Sequence, residues 1–390
     1  MMTQPKIASL LSSNPHREQL FINGKQFYDT LIYDIDHAQN YIDLETYIFK
    51  TDAVGQLIAD ALIRAAKRGV IIRVLVDGAG SPQWGSNRMA KRMEEAGIKT
   101  RVFHPFPWHL WNWSRSVVRL PILLKWIYLL LKVNSRNHRK VCLIDNQIAF
   151  VGSCNICNSH LQTAEEGDGW RDTSVRLEDF PLTELQEAFE MAWSHRSMKE
   201  RIREVFNAVK KDPKIRLNHT WHRRRILHKN LLRRIKQSQE RIWITNAYFV
   251  PDNFLLRNLK EASARNVDVR ILLPNKSDVF IMPWATSAFY EILLKAGIRI
   301  FEYMPNILHA KTLIIDDWML VGSSNLNHRS LLHDYEVDIK ITEQHSKRQL
   351  QQQFHDDLLQ SKEISMNGWK KRPAWQKGLG RILLYLKYWI

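Results

Sequence analysis

The chain states one pattern twice, and this duplication limits its fold more than any other feature. Asn137-His138-Arg139-Lys140-Val141-Cys142-Leu143-Ile144-Asp145 is matched by Leu308-His309-Ala310-Lys311-Thr312-Leu313-Ile314-Ile315-Asp316. Each copy leads through an apolar run into a Gly-Ser-x-Asn turn, Gly152-Ser153-Cys154-Asn155 and Gly322-Ser323-Ser324-Asn325. A lone His near a Lys is usually structural, but two copies with the same trailing turn form a motif. The upstream segments repeat too. Asn40–Phe49 reads as a strand, Leu57, Ile58, Ala61, Leu62, Ala65 and Ala66 fall at helical spacing, and Val70–Asp77 reads as a second strand. Arg241–Val250, Phe254–Arg265 and Val267–Leu273 give the same order, and both halves predict a further helix closing on Ala-Gly-Ile, at Ala96–Ile98 and Ala296–Ile298. The expected class is α/β: two tandem domains, 1–205 and 206–390, each a mixed β-sheet flanked by helices. A pseudo-two-fold axis would relate them around one shared active site.

In a strand, residues i and i+2 share a face, so His138 projects with Lys140 and His309 with Lys311. Converging pairs would place two imidazoles and two ammonium groups around one anion. Phosphodiester chemistry needs such a set: a nucleophile, an acid for the leaving oxygen, and fixed positive charge on the phosphoryl oxygens. Asn155, Asn325, Ser153 and Ser323 are candidates for hydrogen bonds to that phosphate. Asp172 and Glu336, acids at equivalent places downstream, are candidates to fix the imidazole tautomers. Asp145 and Asp316 complete the six-residue motif set, yet they fall on the opposite pleat face and read as structural or supporting. Two lysines beside the histidines would repel a divalent ion, so neither metal nor another cofactor is expected.

The paired His-x-Lys-x4-Asp with Gly-Ser-x-Asn resembles the phospholipase D superfamily across both halves. Leu44–Phe49, Arg136–Lys140, Trp170–Asp172, Tyr248–Asp252 and Gly322–Asn327 resemble the bacterial cardiolipin synthases, in a short form without spanning helices. The resemblance implies two phospholipase D-like domains and a two-step phosphatidyl transfer through a phosphohistidine, with His138 as nucleophile and His309 as general acid, then base. It implies anionic glycerophospholipid partners, phosphatidylglycerol and cardiolipin. Glu45 and Asn246, read as equivalent positions of the two halves, join the substrate-binding candidates. Water as acceptor would instead give phosphatidic acid, and the same motif also serves nucleases.

The formal net charge is +17, which suits a polyanionic partner. The excess is concentrated: Arg101–Lys140 holds eight basic residues and no acidic one, and the tail 368–390 holds six and none. In both segments the cations interleave with Trp, Tyr, Leu and Ile, a composition that favours an anionic lipid interface over a nucleic-acid groove. Residues 104–134 therefore read as a membrane-interface insertion ahead of the first motif, and the tail as a second contact. The expected setting is peripheral, on the cytoplasmic face of the bacterial membrane. Three cysteines are too few for a disulfide framework, and Met1–Gln26 shows no signal-peptide pattern.

Overall fold

The computed structural model describes residues 17–165, 167–194 and 212–373, with Gly378, Gly380, Ile382 and Leu383 in the tail. The expected 205/206 boundary, most of Met1–Gln26 and most of the tail lie outside these residues.

The first sheet contains β1 (Glu18–Phe21), β2 (Tyr41–Thr46), β3 (Ile71–Asp77), β4 (Lys99–Phe103), β5 (Val141–Ile144), β6 (Ile148–Gly152) and β7 (Ser174–Glu178), in the order β1-β7-β6-β5-β2-β3-β4. The second contains β8 (Ile215–Leu217), β9 (Arg241–Thr245), β10 (Asp268–Pro274), β11 (Arg299–Tyr303), β12 (Thr312–Ile315), β13 (Trp318–Gly322), β14 (Val337–Ile341) and β15 (Ser361–Ile364). Its order, β15-β11-β10-β9-β12-β13-β14-β8, repeats the first with one strand added beyond β11. In each sheet three parallel strands, linked by crossover helices, meet an antiparallel hairpin carried by the motif.

Strand alternation sorts the side chains into layers. On β5, Cys142 and Ile144 face the helices Gly24–His37 and Ala53–Lys67, while Val141 and Leu143 face the other way. The latter share one core with Ile314, Met319, Val321, Val337 and Ile339 of the second sheet. The sheets therefore pack face to face, each with helices on its outer side. This sandwich carries the hairpin ends of the two halves to one seam. Across that seam Arg171 makes a bidentate, buried pair with Asp357, at 3.0 and 2.9 Å.

The two hairpins explain why the motif spacings differ by one residue. Asp145, Asn146 and Gln147 connect β5 to β6, whereas Asp316 and Asp317 alone connect β12 to β13. Asp145 (φ 51°), Asn146 (φ 61°) and Asp316 (φ 51°) take the left-handed conformation that a tight reversal requires.

The insertion forms the helix Ile122–Leu131, and it is turned inside out. Lys125 is buried and donates to the Trp113 carbonyl at 2.6 Å, beside buried Leu129. Ile122, Leu123 and Leu131 stand 77%, 70% and 77% exposed, with Trp108, Leu110, Trp111 and Trp126 also in solvent. Lys125 and the half-buried Trp113 thus do not face outward as composition suggested. The start of the tail also differs from expectation: Trp369 packs on Tyr290, and Leu383 joins the second half's core. No helix among the described residues is long and apolar enough to cross a membrane.

Candidate active site

Both His-x-Lys segments lie immediately ahead of β5 and β12, not within the strands as expected, and each is tied to the opposite half. Asn137 bridges Tyr335, and the His138 N–H donates to the Tyr335 carbonyl at 2.9 Å. Reciprocally, Arg171 bridges Leu308, and the His309 N–H donates to the Arg171 carbonyl at 2.8 Å. This exchange sets the side chains. His138 Nδ1 stands 3.1 Å from both oxygens of Glu336, and His309 Nδ1 stands 3.1 and 3.2 Å from those of Asp172. Each imidazole is partnered by the carboxylate of the other half.

The histidines open on one cleft, lined from the first half by Tyr47 and Asn155 and from the second by Tyr248, Asn325 and Arg329. Lys140 and Lys311 are buried, each donating to the carbonyl of its own motif histidine, at 2.6 Å for Lys140. Burial lowers Lys140 to about 7 and Lys311 to about 8, so the pair gains most from an anion arriving in the cleft.

The two dyads are electrostatically unequal. Burial, reinforced by Lys140 and Lys311, pushes His138 well below its ordinary value, and burial lifts Glu336 to about 7. Burial also opposes ionisation of Asp172, but His309 and His160 outweigh it and hold that carboxyl well below the usual range. Burial lowers His309 as well, against the pull of Asp172.

The family model described as cardiolipin synthase, phospholipase D-like domain, matches residues 31–193 and 231–358, one copy on each half. The chain belongs to this family. It is 32% identical over 374 residues to cardiolipin synthase 1 of Bacillus anthracis, covering 91% of this chain and 69% of that one. It is 31% identical to a cardiolipin synthase of Staphylococcus aureus, covering 94% of this chain and 72% of that protein. The fold also resembles the crystal structure of phosphatidylserine synthase from Haemophilus influenzae, with a TM-score of 0.67, 13% identity and 98% of each chain covered.

Within this phospholipase D-like frame several expected site residues have other places. Asp145 accepts the backbone N–H groups of Gln39, Asn40 and Tyr41 at 2.7, 2.7 and 2.9 Å, and Asp316 does the same for Gln239, Glu240 and Arg241. Both lock the hairpin to the start of the neighbouring strand and stand away from the cleft. Ser153 is fully buried and bonds the Thr173 backbone; Ser323 donates to Glu336 at 2.5 Å. Neither serine is among the residues that line the cleft. Glu45 is buried against Arg139 and Asn137, at 3.0 and 2.8 Å, bracing the motif segment from behind. Asn246 braces the second turn, accepting from Leu326 N–H at 3.1 Å. These two are not equivalent positions. Glu45 pairs with Val141 and Thr245 with Thr312, so Thr245 is the counterpart of Glu45.

Sequence reasoning passed over Tyr47, Tyr248, Asp278, Arg329 and Asp334, all at the cleft. Tyr47 stacks edge-on with His138 at 5.0 Å, and Tyr248 Oη donates to Asp278 at 2.7 Å. Tyr47 and Tyr248 follow equivalent strands in otherwise apolar runs, which was the available signal. Among the described residues one group, Cys154, His160 and Asp172, presents metal-ligand atoms within 4.8 Å of one another. Its carboxylate is already engaged by His309, and the three cysteines are free and buried.

Proposed function

We propose that the chain transfers a phosphatidyl group from one phosphatidylglycerol to another, forming cardiolipin and releasing glycerol, by way of a phosphohistidine. The observation that carries this reading is the crossed pairing of each motif histidine with the opposite half's carboxylate at one cleft. His138 Nε2 attacks phosphorus, and the P–O bond to the glycerol headgroup breaks. The leaving oxygen takes a proton from His309, whose charge Asp172 balances. His309 then removes the proton from the incoming hydroxyl, which attacks the phosphohistidine and frees His138. The resemblance to the family suggests the roles, and the more firmly ionised carboxylate behind His309 supports His309 as the proton carrier. Lys140 and Lys311 hold the phosphoryl oxygens through both steps, and Asn155 and Asn325, which line the cleft, bond the phosphate. Lys140 and Lys311, buried beside the motif histidines, oppose a divalent ion there, and no cofactor enters this scheme.

The substrate is a lipid, and the outward-facing Ile122, Leu123, Trp126 and Leu131 supply the surface on which the enzyme meets the membrane. Phe280, 74% exposed, adds an apolar side chain next to cleft-lining Val279 and Ile281. The reading places the protein peripherally on the cytoplasmic face of the membrane, with nucleic acid not among its substrates. Its test is purified protein on phosphatidylglycerol vesicles, with products resolved by mass spectrometry beside a plasmid DNA control. Cardiolipin with released glycerol supports it. Phosphatidic acid alone would make the chain a hydrolase, and cleaved DNA with untouched lipid would make it a nuclease.

A further inference from the structure

The two carboxylates are held by different side chains standing at the same place in the repeat. Five residues after Asn325 stands Ser330, and five after Asn155 stands His160. Both close the same local turn: the Asn325 N–H donates to Ser330 Oγ at 3.3 Å, and the Asn155 N–H donates to His160 Nε2 at 3.1 Å. Both then reach the carboxylate of their own half, Ser330 Oγ to Glu336 at 2.7 Å and His160 Nδ1 to Asp172 at 2.6 Å. His160 Nδ1 thus stands against the Asp172 carboxylate at ion-pair distance.

The difference in donor matches a difference in reach. Glu336 is one methylene longer than Asp172, and two short hydroxyls suffice for it, Ser323 at 2.5 Å and Ser330 at 2.7 Å. On the shorter Asp172 the counterpart of Ser323 fails to arrive: Ser153 Oγ bonds the Thr173 carbonyl instead. An imidazole at 160 spans the gap that a hydroxyl cannot. The ring is 1% exposed, and its backbone is pressed against the helix start at Gly24, where a Cβ would stand 2.1 Å from the His160 carbonyl oxygen. This position has no room to drift.

We infer that His160 is a positioning residue for the transfer reaction: it completes the shorter carboxylate and so holds Asp172 on His309, while the Ser323–Ser330 pair does the same for Glu336 on His138. The two catalytic imidazoles thereby differ through the length of acid and donor behind them. The inference rests on the transfer reading above and names the residue that sets its asymmetry. The groups that bear on this carboxylate and on His309 include Cys154, Cys157, Tyr28, Lys140, Lys311, Tyr248, Asp278 and His138.

Three variants test it: H160S, H160N and the double variant H160S/D172E. Serine at 160 falls short of Asp172, and kcat drops about 10- to 100-fold with KM within about twofold. Asparagine places an amide N–H close to where Nδ1–H stands, and H160S/D172E rebuilds the second half's arrangement of hydroxyl and longer acid. Either recovers most of the lost kcat. Removing a donor from a carboxylate strengthens its hold on a proton, so in H160S the limbs of the kcat–pH profile governed by His309 move to higher pH. A purely structural role lowers the plateau without moving them. An unimpaired H160S, or an impaired one at unchanged melting temperature that neither partner variant rescues, overturns the inference. Should H160S/D172E not fold, H160N against H160S decides. If the parent makes phosphatidic acid and no cardiolipin, the transfer reading fails, and the same comparison is made on that product.

Discussion

Replacing Ile122, Leu123 and Leu131 with serine strips the outward face of the insertion helix while leaving its inner face intact. The three side chains are 77%, 70% and 77% exposed, so about three quarters of each awaits burial. Complete burial of such a side chain is worth roughly 1.5–3 kcal/mol, which leaves about 1–2 kcal/mol per residue and about 3–6 kcal/mol for the three. At tenfold per roughly 1.4 kcal/mol, partitioning onto vesicles falls about 10²- to 10⁴-fold. Folding should hardly change, because exposed substitutions usually stay within about 0.5 kcal/mol each, and Lys125 and Leu129, which anchor the helix, are untouched. The assay is co-sedimentation with phosphatidylglycerol vesicles, paired with turnover on detergent-dispersed lipid. The expected result is lost vesicle binding with turnover on dispersed lipid retained. Unchanged vesicle binding by a folded triple variant would falsify the membrane-face argument outright.

His138→Ala and His309→Ala should each abolish turnover with little change in melting temperature. A labelled phosphatidyl adduct should accumulate on His138 in the His309 variant, and an adduct on His309 in the His138 variant would reverse the two roles. Asp145→Ala and Asp316→Ala each remove the acceptor of three backbone N–H groups, costing about 1–3 kcal/mol in denaturant melts while specific activity of the folded protein persists; lost activity without lost stability would return these aspartates to the reaction. KM should rise as pH climbs from about 7 to 9, because Lys140 at about 7 and Lys311 at about 8 shed their protons there, and a flat profile over that range would contradict their burial-lowered values. Activity should persist in excess chelator; loss restored by an added divalent ion would overturn the metal-free scheme.

The sequence displayed what depends on periodicity and on repetition. Strands β3 and β10 and the helix Asn253–Ala264 stand within a residue or two of their apolar patterns, because burial on one face dictates that spacing, while β2 stops three residues short of its pattern and the helix Ala53–Lys67 begins four residues ahead of it. The paired His-x-Lys segments were legible because they occur twice. What stayed hidden depends on reach and register. That Ser153 turns back to the backbone while Ser323 reaches a carboxylate follows from one methylene of acid length, and identical Gly-Ser-x-Asn turns cannot reveal it. The Glu45–Asn246 equivalence failed by a single residue, since only the hydrogen-bonded pairing of β2 with β5 and β9 with β12 fixes which positions correspond. His160 and Ser330 share a spacing from their asparagines but not a residue type, so no repeated letter marked them. Hydropathy likewise misjudged Lys125, whose ammonium turns inward to a carbonyl while its apolar neighbours face out.

The exchange of carboxylates between the halves separates where a lesion lies in the chain from where it acts. In the proposed reaction, a change at Asp172 acts on His309, encoded far downstream, and a change at Glu336 acts on His138, encoded far upstream. Neither half could therefore lose its acid and survive on its own histidine, nor be traded for a relative's half whose acid sits differently against the seam. The two copies are thus coupled where they meet, through the crossed carboxylates.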